Sequence, residues 1–293
     1  MIDITNLRVR YGETIAVDLR EAIHIERGER IGIIGSNGAG KTSLVNALLG
    51  LIPAEGRFHV GVPRSEIGVH MQINSYAETM PVRVIIETVL GAPLRRLPLV
   101  QELIDFFNFE GSLGKSYRKL SGGQKQRLTL IMVLAMEQPL VFFDEVTSGL
   151  DYETRQRLID KLISWYDARE TTLVMISHYY EELENLVDRI LYLEEGQLVA
   201  FGRKHELFRR YCGRTIITLA NSPEHLPLIA GFERLVSPEH LLAVSCGDTE
   251  AEARLTARLR EHNIDYRRSS SDIEIMSINA LATWRRQNVK ESA

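Results

Sequence analysis

A glycine-rich segment, GSNGAGKT at residues 35–42, constrains the fold of this chain more than any other feature. It follows the short segment 30–34, which predicts a strand, and leads into residues 42–49, which are good helix formers. This order matches a phosphate-binding loop, in which backbone N–H groups and a helix N-terminus face phosphates. Lys41 would then reach the β- and γ-phosphates, and the Thr42 hydroxyl would bind Mg²⁺. A glycine-rich turn with an incidental lysine is the alternative.

A second segment places two carboxylates directly after the apolar run 140–143. A wholly apolar run is typical of a parallel strand that is buried on both faces. At the end of such a strand, Asp144 can hold Mg²⁺ through water. Glu145 can orient or deprotonate an attacking water. Taken alone, two acidic residues after a strand also fit a solvated turn, but beside a phosphate-binding loop they indicate phosphoryl chemistry.

A third segment, LSGGQKQR at residues 120–127, precedes a predicted helix over 124–136. Ser121 can cap this helix. Gly122 and Gly123 leave room for a phosphate near the backbone, and the helix N-terminus favours anions. These residues by themselves equally fit a plain N-capped helix.

The third segment resembles the signature motif of ATP-binding cassette (ABC) proteins. It lies between the two nucleotide motifs, as it does in that family, and the resemblance covers about residues 1–210. In the family, two cassettes bind head to tail, and each ATP lies between the phosphate loop of one cassette and the signature motif of the other. The resemblance therefore implies an ATPase that uses ATP and Mg²⁺.

The resemblance also assigns roles to four residues that patterns alone leave open. Tyr11 resembles the aromatic residue that stacks on adenine, and Gln72 the glutamine that contacts Mg²⁺ and water. Asp151, in the segment 148–151, resembles the residue that communicates across the dimer. His178 resembles the histidine that hydrogen-bonds the γ-phosphate. Without the resemblance, these would read as a surface aromatic, an exposed polar residue, a helix cap and a structural histidine.

The complete predicted site follows from these assignments. The predicted catalytic residues are Glu145, His178 and Gln72, and the predicted Mg²⁺ ligands are Thr42, Gln72 and, through water, Asp144. The predicted ATP-binding residues are Tyr11, Gly35, Ser36, Asn37, Gly38, Ala39, Gly40, Lys41, Thr42 and Ser43. The residues predicted to face the partner's ATP are Ser121, Gly122, Gly123 and Gln124. Ser36 and Val146 stand where the family often has proline, but neither change removes a ligand.

Strand and helix patterns alternate from residue 30 to about 201, which predicts an α/β sheet domain. By resemblance this is a P-loop NTPase core in residues 1–213, with an N-terminal β subdomain and an ABC-type helical subdomain that includes about 75–119. The pattern changes after Arg214 and predicts a small C-terminal α+β domain over 214–293. Its predicted elements are strands at 215–219, 241–245 and 272–276 and a helix at 250–262.

Composition and charge restrict where the chain works. The formal net charge of −4 argues against a protein that binds nucleic acid through a global basic field. The longest apolar candidate, 128–136, is too short to span a bilayer. A membrane-spanning part, where one exists, must therefore belong to another chain. The family resemblance implies a cytoplasmic protein, peripheral on the inner face of the cell membrane, with a separate multi-span permease subunit as partner.

The transport direction depends on the C-terminal part. Residues 271–276 and the helix before them resemble the accessory domain of bacterial ABC-2-type exporter ATPases, which implies export. An importer ATPase with a regulatory C-terminal domain and a soluble ABC ATPase without a membrane partner are the alternatives. The second ABC subunit can be an identical or a different chain. The transported compound is not encoded here, because the substrate path lies mainly in the membrane subunit.

Overall fold

The computed structural model describes residues 1–70, 76–148, 150 and 152–291. Two predicted site residues, Gln72 and Asp151, lie outside the described residues.

The elements below are numbered in chain order. The strands are β1 (Ile2–Tyr11), β2 (Thr14–Leu19), β3 (Ile23–Ile25), β4 (Arg30–Ile34), β5 (Glu55–Val60), β6 (Ile67–His70), β7 (Leu140–Asp144), β8 (Thr172–Ile176), β9 (Arg189–Glu194), β10 (Gln197–Arg203), β11 (Thr215–Ala220), β12 (Glu233–Leu235), β13 (Leu241–Cys246) and β14 (Tyr266–Ser269). The helices are α1 (Lys41–Leu48), α2 (Val82–Leu90), α3 (Pro98–Phe106), α4 (Gly122–Ala135), α5 (Tyr152–Asp167), α6 (Tyr180–Leu186), α7 (Lys204–Cys212), α8 (Thr249–Glu261) and α9 (Ile273–Glu291).

A six-stranded sheet lies at the centre, with the strand order β10-β9-β4-β8-β7-β6. The strands from β9 to β6 pair in parallel, and β10 is an antiparallel edge. Every residue of β7 and β8 is buried, which accounts for their uninterrupted apolar runs. This sheet is the α/β core that the sequence predicts.

An antiparallel N-terminal sheet covers one side of the core. Its strand order is β2-β1-β3, and β5 also pairs with β1. Apolar residues alternate along β1, so that Ile2, Ile4, Leu7 and Val9 are buried. These side chains share one apolar cluster with α1 and with one face of the central sheet.

The helical region consists of α2, α3 and α4 with short connecting turns. Prolines mark the starts of the first two helices: Pro81 is the N-cap of α2, and Pro98 is the first residue of α3. The run from Leu128 to Leu134 in α4 is wholly buried, so this helix forms the centre of the region. The three helices pack into the same cluster as the opposite face of the central sheet.

A third sheet follows residue 213, with the antiparallel order β12-β13-β11-β14. Helix α8 covers one face of it through Leu255 and Leu259, which are fully buried. The strands predicted at 215–219 and 241–245 and the helix predicted at 250–262 are confirmed. The domain division at 213/214 stays a prediction.

The predicted strand at 272–276 is wrong, because these residues begin the helix α9. Asp272 caps the helix: its Oδ1 accepts a hydrogen bond of 2.9 Å from the N–H of Ile275. Helix α9 then packs against α6, α7 and β10. Its buried residues Ile275 and Met276 belong to the same cluster as α7 and the central sheet. The end of the chain thus returns to the part that precedes residue 213.

Over the described stretches of chain, every helix is too short or too polar to cross a bilayer.

Candidate active site

The strand order of the central sheet brings three predicted loops together. Strand β8 lies between β4 and β7, and all three run parallel. Their carboxyl ends therefore share one edge, which is where ligands bind in open α/β sheets. The phosphate loop follows β4, Glu145 follows β7, and His178 follows β8 by two residues.

Two glycines of the phosphate loop have no room for a side chain. A Cβ on Gly35 would lie 2.1 Å from the carbonyl oxygen of Leu193, and one on Gly40 would lie 2.4 Å from that of Ala16. Both residues have positive φ, 150° and 94° respectively. The loop is thus packed against the end of β9 and against β2, which fixes its position at the sheet edge.

Lys41 is held over the loop. Its Nζ donates hydrogen bonds of 2.9 Å to the carbonyl oxygens of Gly35 and Ser36, and the residue is buried. Burial lowers the pKa of Lys41, while the nearby Glu145 and Asp144 act in the opposite direction. The ammonium group therefore sits among anionic groups at the point where the loop would receive phosphates.

The predicted Mg²⁺ ligands Thr42 and Asp144 contact each other. The Thr42 hydroxyl donates a hydrogen bond of 3.1 Å to Oδ2 of Asp144. Burial raises the pKa of Asp144, opposed by the hydrogen bond from Thr42. A hydroxyl and a carboxylate are hard oxygen ligands of the kind that Mg²⁺ takes, alongside water and phosphate oxygens. The donor set at this position fits that cation.

Glu145 and His178 form a direct pair. Nε2 of His178 lies 2.9 Å from Oε1 of Glu145. The backbone N–H of Glu145 donates a 3.0 Å hydrogen bond to the carbonyl oxygen of Ile176, which ties the end of β7 to β8. Glu145 has a φ of 51°, a left-handed conformation that is uncommon outside glycine and that concentrates at functional sites. The structure thus brings together the predicted base, Glu145, and the predicted γ-phosphate contact, the switch histidine His178.

Tyr11, the last residue of β1, lies close in space to the start of α1. Its hydroxyl is 3.4 Å from Oγ of Ser43, and 51% of the residue is exposed. An accessible aromatic ring beside the phosphate loop is suitable for stacking on a base.

The predicted signature segment is a capped helix start. The N–H of Gln124 donates to Oγ of Ser121 at 3.3 Å, and the N–H of Ser121 donates to Oε1 of Gln124 at 3.1 Å. This reciprocal pair is a capping box, which confirms the predicted cap at Ser121 and adds the return bond to Gln124. A Cβ on Gly122 or Gly123 would meet no atom within 4 Å. Open space therefore lies in front of this helix start.

Sequence reasoning missed a link between the signature helix and the segment after Glu145. Nε2 of Gln126 donates to the carbonyl oxygens of Val146, at 2.5 Å, and Ser148, at 3.1 Å. Gln126 lies inside the signature motif, but the sequence does not show which carbonyl groups its side chain contacts.

Two buried glutamates near the site were also missed. Glu182 on α6 accepts hydrogen bonds from Thr147 and Ser177. Glu194, the last residue of β9, is 5% exposed and raises the pKa of Lys41. Each has another glutamate next to it in the chain, and such pairs of acidic residues usually belong to a solvated surface.

The comparison with known proteins gives one family. The family model described as "ABC transporter" matches residues 21–148. A Nod factor export ATP-binding protein I of Rhizobium etli is 32% identical over 251 residues, which is 81% of this chain and 77% of that protein. The protein of the same name from Rhizobium sp. (strain N33) is 30% identical over 275 residues, 88% of this chain and 90% of that protein.

Solved structures share the architecture. A dimeric ATP-binding cassette in a post-hydrolysis state, bound to ADP and Pi, matches with a TM-score of 0.61 and 21% identity. The match covers 69% of this chain and 98% of the cassette. This likeness confirms the predicted P-loop NTPase fold.

Proposed function

This chain belongs to the ABC transporter family, and on that basis we propose that it is the ATPase subunit of an exporter whose membrane-spanning part is a separate chain. The observation that carries the ATPase part of this proposal is the common sheet edge. There, Lys41 lies over the phosphate loop, Thr42 touches Asp144, and Glu145 touches His178.

In the proposed reaction each of these side chains has one task. Lys41 and the loop amides bind the phosphates of ATP, and His178 hydrogen-bonds the γ-phosphate. Glu145 orients the attacking water and accepts its proton. Thr42 and Asp144 hold Mg²⁺, which when bound neutralises charge on the phosphate oxygens. Gln72 and Asp151 keep the roles that the family resemblance assigns them.

We propose further that two chains close head to tail around ATP. The open space at Gly122 and Gly123 supports this, because nothing within the described chain approaches there. Ser121 and the α4 N-terminus would then meet the γ-phosphate bound by the partner. Because Gln126 bonds to the carbonyls that follow Glu145, α4 is connected to the base of its own chain.

Export is favoured over import by the named relatives, which are described as export ATP-binding proteins. The second of them matches 88% of this chain, more than residues 1–213 alone could supply. The similarity therefore includes part of the C-terminal region. We place the protein on the inner face of the cell membrane, held there by its permease subunit.

Glu145→Gln tests the reaction. The amide keeps the size of the side chain but cannot accept the proton of water, so we expect kcat to fall about 10²–10⁴-fold. ATP affinity should stay within about threefold, since Lys41, Thr42 and Asp144 are unchanged, and the variant should accumulate as an ATP-bound dimer on size exclusion. Turnover within a few-fold of the unmodified protein would show that Glu145 is not the base.

Ser121→Arg tests the dimer. The bulky cation should leave ATP binding to each monomer intact and should block hydrolysis, because it lies where the partner's γ-phosphate must fit. A mixed dimer of Ser121→Arg and Lys41→Ala chains should retain at most one intact composite site. Normal hydrolysis by Ser121→Arg alone would contradict the head-to-tail arrangement.

Association with a membrane subunit needs its own experiment. The tagged full chain should co-purify from detergent-solubilised membranes with a multi-span protein. ATP hydrolysis by the complex should drive efflux from cells and, because the membrane is reversed, uptake into inverted vesicles. A chain that hydrolyses ATP but binds no membrane protein would favour a soluble ABC ATPase.

A further inference from the structure

Glu182 is a buried carboxylate beside the proposed reaction centre. It lies on α6, which begins two residues after His178, and only 4% of it is exposed. Charged side chains are rarely buried to this degree unless they are paired or hydrogen-bonded. The groups that contact its carboxylate therefore indicate its role.

Two hydroxyls donate to the same oxygen of Glu182. The Ser177 hydroxyl lies 2.7 Å from Oε2 and the Thr147 hydroxyl 3.0 Å from it. Ser177 directly precedes His178, and Thr147 follows Glu145 by two residues. One carboxylate oxygen thus joins the loop of the switch histidine to the loop of the base.

The Ser177 hydroxyl is oriented from both sides. While it donates to Glu182, its oxygen accepts a 3.0 Å hydrogen bond from the N–H of Tyr179. The backbone on both sides of His178 is therefore fixed through one hydroxyl. Hydrogen bonds to a carboxylate are stronger than those between neutral groups, so this arrangement resists displacement.

Arg155 closes the cluster from α5. Its Nε is 3.9 Å from Oε1 of Glu182, and its guanidinium lies 4.1 Å from the centre of the Tyr179 ring. Burial raises the pKa of Glu182, and the two hydroxyls and Arg155 oppose that effect. Arg155 thus adds an ion pair without a hydrogen bond, since Oε1 of Glu182 accepts none from the described residues.

We propose that Glu182 is a positioning residue, which holds His178 and Glu145 in register for ATP hydrolysis without touching the nucleotide. The inference rests on the proposed roles of those two residues. A buried carboxylate is costly compared with an apolar side chain of similar size, and its role here would be to fix a geometry. Small displacements of reacting groups reduce rates by large factors.

The first experiment compares three variants of the full chain. Glu182→Ala removes the common acceptor and should lower kcat at least tenfold, with KM for ATP and ATP affinity changed less than threefold. Glu182→Gln keeps one acceptor oxygen for both hydroxyls and should recover most of kcat. Glu181→Gln makes the same chemical change at the exposed neighbour and should leave kcat within twofold. A Glu182→Ala enzyme with kcat within twofold of the unmodified one would overturn the proposal.

The second experiment asks whether Glu182 acts through His178. In a His178→Ala background, Glu182→Ala should lower kcat by a clearly smaller factor than in the unmodified chain, because one of the two groups that it positions is already absent. If the two losses multiply in full, Glu182 acts elsewhere and the proposal fails.

If Glu182→Ala does not fold, Ser177→Ala and Thr147→Val test the proposal instead, because each removes one hydrogen-bond donor to Glu182. Either should lower kcat several-fold at unchanged KM, and normal kcat in both would reject the proposal. Failure of the proposed function is a separate result: there, Glu145→Gln or His178→Ala would keep normal turnover. The proposal on Glu182 fails alone when those variants lose activity and the Glu182 variants do not.

Discussion

Substitution of Met276, a buried residue of α9, tests whether this helix is part of the ATPase unit. Met276 is 1% exposed and lies on the face that packs against α6, α7 and β10. Truncation of a buried methionine to alanine costs about 2–5 kcal/mol, from lost transfer free energy and from the cavity that remains. At roughly 2–4 °C per kcal/mol for a domain of 150–250 residues, a mid-range 3 kcal/mol corresponds to about 6–12 °C in Tm.

The assay is thermal unfolding of the full chain with and without Mg²⁺-ATP. Nucleotide binds only the folded ATPase part, so it raises the Tm of the unit that contains the phosphate loop. Met276→Ala should lower this nucleotide-sensitive transition. Leu259→Ala is the matched control, since Leu259 is equally buried but belongs to the separate cluster between α8 and the third sheet. It should leave the nucleotide-sensitive transition in place, or lower it by much less.

The result that refutes this reasoning is a Met276→Ala protein whose nucleotide-sensitive Tm is unchanged. That outcome would assign α9 to an independent C-terminal unit, as a division at 213/214 predicts. The same packing bears on removal of residues 214–293. That truncation takes away α9 together with the Arg285 side chain, whose guanidinium lies 3.3 Å from the buried Glu194. A truncated chain should therefore bind ATP but be less stable than the full one.

Three further predictions concern the loop, the cation and the partner. Gly35→Ala should abolish ATP binding in a folded protein, measured by nucleotide titration, because its Cβ would lie 2.1 Å from the carbonyl oxygen of Leu193. Burial raises the pKa of Asp144, so this carboxylate takes up a proton at a higher pH than an exposed aspartate does. As the pH is lowered, Mg²⁺-dependent ATP affinity should therefore begin to fall at that higher pH, and Mg²⁺-free binding should not show this loss. We expect the membrane subunit to dock on the helical region, where Val84 and Val89 are exposed apolar positions on α2. Val84→Asp and Val89→Asp should therefore weaken capture of the membrane subunit and transport, while ATP hydrolysis by the free chain survives.

The sequence could predict the central sheet and the phosphate loop because their signals are local. The runs at 140–143 and 173–176, which lie in β7 and β8, are apolar without interruption, and such short runs are typical of strands buried on both faces. Two glycines of the loop, Gly35 and Gly40, are required by close backbone contacts at their positions. The helix cap at Ser121 is likewise a local signal, because a serine directly before a helix is a common N-cap.

The start of α9 shows where a local signal misleads. Residues 272–275 alternate polar and apolar side chains, which is the pattern of a half-buried strand. Over four residues this pattern also fits the first turn of a helix. The distinguishing feature was Asp272, a good N-cap residue whose carboxylate accepts from the N–H of Ile275. A short alternation preceded by such a residue should be weighed as a helix start.

Glu182 marks the limit of local signals at the site itself. Its neighbours Glu181 and Glu184 make it look like one charge among several on a solvated helix face, and its burial depends on where α6 lies in the fold. The side chains that it joins are about 30 residues apart in the chain, and they meet because β8 and β7 are adjacent strands. Residues that touch the nucleotide sit in short motifs, since each motif must present its groups to one ligand. The residues that hold those motifs in register are set by strand order, and strand order is a property of the whole sheet.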